Sequence, residues 1–242
     1  MRETLILLPG WGLHGAVLHP LAEALGCDVE VQVVQLPALT SASVTGWLDE
    51  LDARLPHDGW LAGWSLGGML AAALAARRGE RCRGLITLAS NACFVASDSW
   101  PHAMPLDTYA AFLQGCEANA AATLKRFAML CAQGSTEVRD LSRQLQAGLG
   151  APDSASLLAG LHVLASLDTR AALSTFAGPQ LHLLAEHDAL VPASVAESLL
   201  ALLPTGAVDV LEASCHAFVL EQADTLATLV LDFIREANHG WA

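Results

Sequence analysis

The chain has 242 residues, enough for one domain with a sizeable core. Hydrophobic residues make up 53% of it, which excludes a disordered chain, and the longest unbroken apolar candidate, Met69 to Ala76, falls well short of the roughly 20 residues of a membrane-spanning helix. A net charge of −13 argues against nucleic acid as a partner, although a local cluster of cations can still bind an acidic one.

The first apolar run, Leu5–Leu8 before Pro9 and Gly10, is too short for the core of a secretory signal, and no small-residue cleavage site follows it. The six cysteines show no C-x-x-C spacing. Both features point to a reduced, cytoplasmic setting. Short apolar runs then recur at Val29–Gln35, Trp60–Gly63, Gly84–Ala89, Gln180–Ala185 and Val208–Leu211, each bounded by turn residues. They predict buried strands. Helical patterns lie between them at Leu18–Leu25, Val44–Leu55, Leu66–Arg78, Ala193–Leu203 and Asp224–Ala237. Such alternation predicts an α/β fold: a mostly parallel sheet of about six strands with helices on both faces. The alternation lapses over 92–170, where apolar and charged residues follow helical spacing. That stretch is predicted to be a helical lid of several short helices. It is entered past Pro101 and Pro105, left at Gly178-Pro179, and set into a core made of 1–91 and 171–242.

The strand at Trp60–Gly63 runs into Gly63-Trp64-Ser65-Leu66-Gly67-Gly68 and then a helix. This is G-x-S-x-G in a strand–turn–helix context, which lifts a serine hydroxyl off the sheet and aims helix N-terminal amides at it. Ser65 is the predicted nucleophile. An oxyanion hole needs two donors. Leu66 N–H supplies one, and Trp11 N–H, in the loop after the first strand, is the choice for the other. The remaining partners are expected in the order acid, then histidine, after late strands. Asp188 follows the strand ending at Ala185, and His216 follows the one ending at Leu211. Glu186 and His187, beside Asp188, stand as rival acid and rival base. The histidines show no metal-ligand spacing, and neither metal nor cofactor is expected.

Gly10-Trp11-Gly12-Leu13, the Gly-Trp-Ser-Leu-Gly-Gly elbow and the Asp188-x-x-Val191-Pro192 loop resemble the α/β-hydrolase superfamily. Ala89-Ser90-Asn91-Ala92-Cys93-Phe94, Asp98-Ser99-Trp100-Pro101 and Arg126-Phe127 narrow the resemblance to its carboxylesterases of biotin synthesis, over nearly the whole chain. The resemblance implies hydrolysis of the methyl ester of pimeloyl-acyl carrier protein. It implies a pocket between core and lid lined by Trp11, Ser65, Leu66, His216 and the stretch Phe127, Ala128, Met129, Leu130 and Cys131. It also implies that Lys125, Arg126, Arg139 and Arg143 grip the acidic carrier protein, with the esterase acting as a monomer. A generic short-chain esterase without a carrier, and a non-catalytic receptor that kept the triad, are the other readings. The sequence departs from the family at Pro9, where many relatives have His, at Gln35-Leu36-Pro37-Ala38, and at Cys215, where Gly commonly precedes the catalytic His. Its first strand matches the family's third, so a leading β-hairpin is expected to be missing.

Overall fold

A computed structural model describes residues 2–150 and 153–240 of the chain. Strands and helices alternate as β1 (Thr4–Leu8), α1 (His19–Leu25), β2 (Glu30–Val33), α2 (Val44–Arg54), β3 (Gly59–Trp64), α3 (Leu66–Arg78) and β4 (Cys82–Leu88). Four helices follow: α4 (Leu106–Ala132), α5 (Val138–Ala147), α6 (Ser154–Ser166) and α7 (Arg170–Thr175). The chain closes with β5 (Gln180–Ala185), α8 (Val195–Leu202), β6 (Ala207–Leu211), α9 (Phe218–Glu221) and α10 (Ala223–Asn238). The strands form one sheet in the order β2-β1-β3-β4-β5-β6, with every pairing parallel.

Parallel neighbours cannot be joined by a tight turn, so the connections cross back over the sheet and cover it. Helix α1 packs with α10, while α2, α3, α7 and α8 form a second set. Every residue of β3 and β5 is buried, whereas the edge strands β2 and β6 are partly exposed. Burial on both faces is why the central strands are mostly apolar. The second strand is shorter than its apolar run, because pairing with β1 ends at Val33. Just beyond, the Gln35 side chain accepts from Gly15 N–H and donates to the Leu13 carbonyl.

The chain leaves β1 for β2 on one side and returns to β3 on the other. The loops after β1 and β3 therefore part at the point where strand order reverses, which is where open α/β sheets leave a crevice.

No strand forms between β4 and β5 among the described residues. The stretch holds several helices, the longest of which, α4, is two helical halves joined across a kink. Helix α4 runs for 27 residues and is interrupted only at Asn119 (φ −160°, ψ 88°). The Asn119 side chain accepts from Ala122 N–H at 3.0 Å, so it caps the second half of the helix where a continuous one would have stood. The two ends of the helical stretch meet: the Ala92 carbonyl accepts from both Thr169 N–H (2.9 Å) and the Thr169 hydroxyl (3.0 Å). Among the described residues, no helix is long and apolar enough to cross a membrane.

His182 on β5 is buried, with Nδ1 2.7 Å from Thr87 Oγ1 on β4. Burial lowers its pKa from 6.5 to about 4, so the ring is neutral in the native protein at pH 7. Between those values the unfolded chain binds the proton more readily. The stability tied to a neutral ring is thus complete above pH 6.5 and is lost as pH falls towards 4, by about 3 kcal/mol across the window. The melting temperature is expected to fall between pH 6.5 and 4.5, and His182→Gln to flatten that part of the curve. An unchanged slope in the variant would remove His182 from the acid sensitivity.

Candidate active site

Ser65 ends β3 and begins α3 with φ 55° and ψ −121°, a conformation that costs an L-residue roughly 1–3 kcal/mol. Its N–H donates to the Leu88 carbonyl at 2.9 Å, and the residue is only 6% exposed. Two glycines make so sharp an elbow possible. A Cβ on Gly63 would overlap the backbone of Gly67, and one on Gly67 would stand 2.5 Å from the Leu8 and Pro9 carbonyl oxygens. Strand and helix pass each other there with no room for a side chain. At the start of α3, Gly68 and Met69 N–H groups donate to the Ser65 carbonyl, and the serine sits at the positive end of the helix dipole.

The loop after β1 lies against the same serine, since a Cβ on Gly10 would touch Ser65 Cβ at 3.5 Å. Trp11 is buried in that loop, its indole N–H donating to the Leu157 carbonyl at 2.9 Å. Among the described residues, neither Trp11 N–H nor Leu66 N–H donates to another protein group. Both donors proposed for an oxyanion thus stand at the crevice between β1 and β3.

Asp188 follows β5, and its carboxylate is held at three points. Oδ1 accepts from Leu190 N–H (2.8 Å) and Val191 N–H (2.9 Å), and Oδ2 lies 2.7 Å from His216 Nδ1. Both side chains of the pair are 0% exposed. A carboxylate so fixed keeps the imidazole proton on Nδ1 and leaves the lone pair on Nε2. His216 Nε2 is buried and has no hydrogen-bond partner in the protein.

Strand β6 stands three places from β3, about 14 Å at the usual strand spacing. The loop carrying His216 has to cross back along the rim, and Trp64 fastens it there. The indole N–H of Trp64 donates to the His216 carbonyl at 2.9 Å, and the two rings lie 5.5 Å apart. Trp64 immediately precedes Ser65, so the residue before the serine holds the histidine. Of the rivals, His187 is half exposed and lies 3.6 Å from Glu186. Glu186 accepts from Ala213 N–H at 2.8 Å and ties the two loops together away from the buried pair. Burial pushes the Cys215 thiol, beside His216, up to about 12, and Cys131 is also raised, so both stay protonated.

An apolar pocket lies between these loops and the helical stretch, walled by Trp11, Phe112, Phe127, Leu130, Leu161 and Leu190. Trp11 meets the edges of Phe112 and Phe127 at 5.6 and 5.2 Å. The volume of this pocket is about 30 Å³, room for a few water-sized groups. A second groove of about 210 Å³ reaches Trp11 and Leu66 from the other side, past Leu13, Pro37 and Trp47.

The predicted wall of five consecutive residues is divided by the helix that carries it. Phe127 and Leu130 face the pocket. Met129 is 58% exposed and turned to solvent. Ala128 and Cys131 are fully buried, and the Cys131 carbonyl accepts from Ala217 N–H at 3.1 Å, behind His216. Successive helical residues turn by about 100°, so only those three or four apart share a wall. Phe112, Leu161 and Leu190 were not foreseen, because nothing local marks which apolar residues of three separate elements meet. Lys125 and Arg126 on α4 and Arg139 and Arg143 on α5 are all exposed, on two helices that pack together. Arg143 pairs with Asp140 at 2.8 Å.

Comparison with known proteins adds to this geometry. Residues 5–229 match the model of the alpha/beta hydrolase family. The biotin biosynthesis bifunctional protein BioHC of Cellvibrio japonicus is 41% identical over 96% of this chain, which spans 47% of that protein's length. The pimeloyl-[acyl-carrier protein] methyl ester esterase of Aeromonas hydrophila is 36% identical over 95% of this chain and 94% of its own. Among solved structures, an esterase from Exiguobacterium antarcticum superposes with a TM-score of 0.84 at 17% identity, covering 96% of this chain and 92% of that one, a likeness of fold.

Proposed function

The chain belongs to the alpha/beta hydrolase family, and on that premise we propose that it is a serine carboxylesterase that hydrolyses the methyl ester of pimeloyl-acyl carrier protein in biotin synthesis. The observation that carries the proposal is the buried Asp188–His216 pair with its unpartnered Nε2, on a loop whose His216 carbonyl is bound by Trp64, the residue before the strained Ser65 at a helix N-terminus. Ser65 Oγ attacks the ester carbonyl while His216 Nε2 takes its proton. Trp11 and Leu66 N–H groups hold the oxyanion. Collapse of the tetrahedral intermediate expels methoxide, which leaves as methanol with the proton from His216. A water deprotonated by His216 then attacks the acyl-enzyme, and the free acid departs as Ser65 regains its proton. Asp188 stabilises the imidazolium in both halves. No step calls for a metal or cofactor, and the enzyme acts in the cytoplasm as a monomer.

Residues 92–170 act in this proposal as a lid on the core formed by 1–91 and 171–242. Phe127 and Leu130 contact the acyl chain. Lys125, Arg126, Arg139 and Arg143 hold the acidic carrier. These four are a third of the chain's 12 basic residues, on a protein of net charge −13. Changing Arg126, Arg139 and Arg143 together to Ala is expected to raise KM for the carrier-bound ester about tenfold, from exposed charges each contributing up to about 1 kcal/mol. Hydrolysis of a free methyl ester should stay within twofold, and added salt should reproduce the loss in the unaltered enzyme. Equal losses on both substrates would exclude the carrier surface. The small volume of the apolar pocket favours a second reading, a short-chain esterase with no carrier. Rates on free and carrier-bound methyl esters of equal acyl length separate the two.

A further inference from the structure

The segment after β4 lies next to the elbow and is unused by the chemistry above. Ala89 turns out of the strand at φ 44°, and the next residue, Ser90, is buried with its hydroxyl donating to the Ser65 carbonyl at 2.9 Å. That carbonyl also accepts from Gly68 N–H (2.9 Å) and Met69 N–H (3.2 Å), both from the first turn of α3. The two amides fix it to the helix. The hydroxyl fixes it to the sheet. Space for this contact exists only because position 68 is glycine, since a Cβ there would come within 2.7 Å of Ser90 Cβ.

The Ser65 carbonyl and the Leu66 N–H belong to one peptide group, and in a planar trans peptide they point in opposite directions. Whatever grips the oxygen therefore aims the hydrogen. We propose that Ser90 is a positioning residue for the oxyanion hole: by anchoring the Ser65 carbonyl to the end of β4, it aligns Leu66 N–H with the Trp11 N–H carried by the loop after β1. Three donors on one carbonyl also polarise its peptide, which strengthens the opposite N–H as a donor. The inference rests on Ser65 being the nucleophile.

The test compares Ser90→Ala, Ser90→Cys and Ser90→Thr with the unaltered enzyme. It uses a free methyl ester and an alkyl trifluoromethyl ketone, which adds to the serine to give a tetrahedral oxyanion. Ser90→Ala is expected to lower kcat about tenfold, less than the roughly 10²–10³ lost when a donor is removed outright. KM should stay within twofold, and the ketone should bind about tenfold more weakly. Ser90→Thr keeps the hydroxyl and should restore most of both losses. Ser90→Cys, with a weak donor, should fall between and serves as the test if the Ala variant does not fold. A folded Ala or Cys variant with unchanged kcat, or with reduced kcat but unchanged affinity for the ketone, would overturn the proposal. Lack of labelling of Ser65 by a fluorophosphonate in the unaltered enzyme would instead overturn the nucleophile assignment beneath it.

Discussion

Replacing Ser65 with Ala is expected to lower turnover of a methyl ester by about 10⁶-fold, the scale on which a serine triad fails when its nucleophile is removed. The variant should fold normally. The Ser65 side chain caps no helix amide, and the strain at φ 55° is a property of the backbone that Ala meets as well as Ser. Tight contacts of Gly63 and Gly67, which set the elbow, are untouched by the change. A small residual rate should persist, supplied by the proposed oxyanion donors, the Trp11 and Leu66 N–H groups. Titration of the released acid measures the rate, with circular dichroism and the melting temperature as controls. A loss below a hundredfold in a folded variant would take the nucleophile away from position 65.

Asp188→Asn is expected to cost on the order of 10⁴ in kcat, as a wrong imidazole tautomer does in other serine triads. This structure says why the amide cannot simply substitute. Leu190 and Val191 N–H groups both point at Oδ1, so the oxygen of an Asn side chain is drawn to that side. The NH₂ group then faces His216 Nδ1 and donates to it. Nδ1 becomes the acceptor, the ring proton moves to Nε2, and the base is lost with almost no change of shape. Nitrogen NMR of the labelled histidine should show Nε2–H in the variant where the unaltered protein has Nδ1–H. Catalysis within tenfold of the original, or an unchanged tautomer, would defeat this account of Asp188.

The elements that position the site were legible because their signals are local. Each strand of the sheet is a short apolar run closed by a turn, and the elbow is six consecutive residues whose glycines leave no other use for the space. Strand–helix alternation implied a parallel sheet, and the order serine, acid, histidine followed the strand ends. Asp188 and Glu186 lie two residues apart on one loop, as do the beginnings of their different fates. Only Oδ1 of Asp188 meets two backbone amides, and only its Oδ2 meets a buried ring, while Glu186 turns to Ala213. What sets His216 apart from His187 is similarly distant: a tryptophan 152 positions earlier fastens its carbonyl.

What the sequence by itself determined is the alternation of elements, the elbow at Ser65, and the chain order of the residues that could serve it, since each depends on neighbours within a turn or a strand. Tertiary structure alone decided which faces of α4 line the pocket, leaving Met129 in solvent beside the buried Ala128, and which leucines of α6 and the acid loop complete it. It also decided that Ser90 would lie against the Ser65 carbonyl. The physical reason is the same in each case. Short-range patterns fix where a backbone turns, but contacts between residues far apart along the chain depend on how separately formed elements pack, and no local period encodes that.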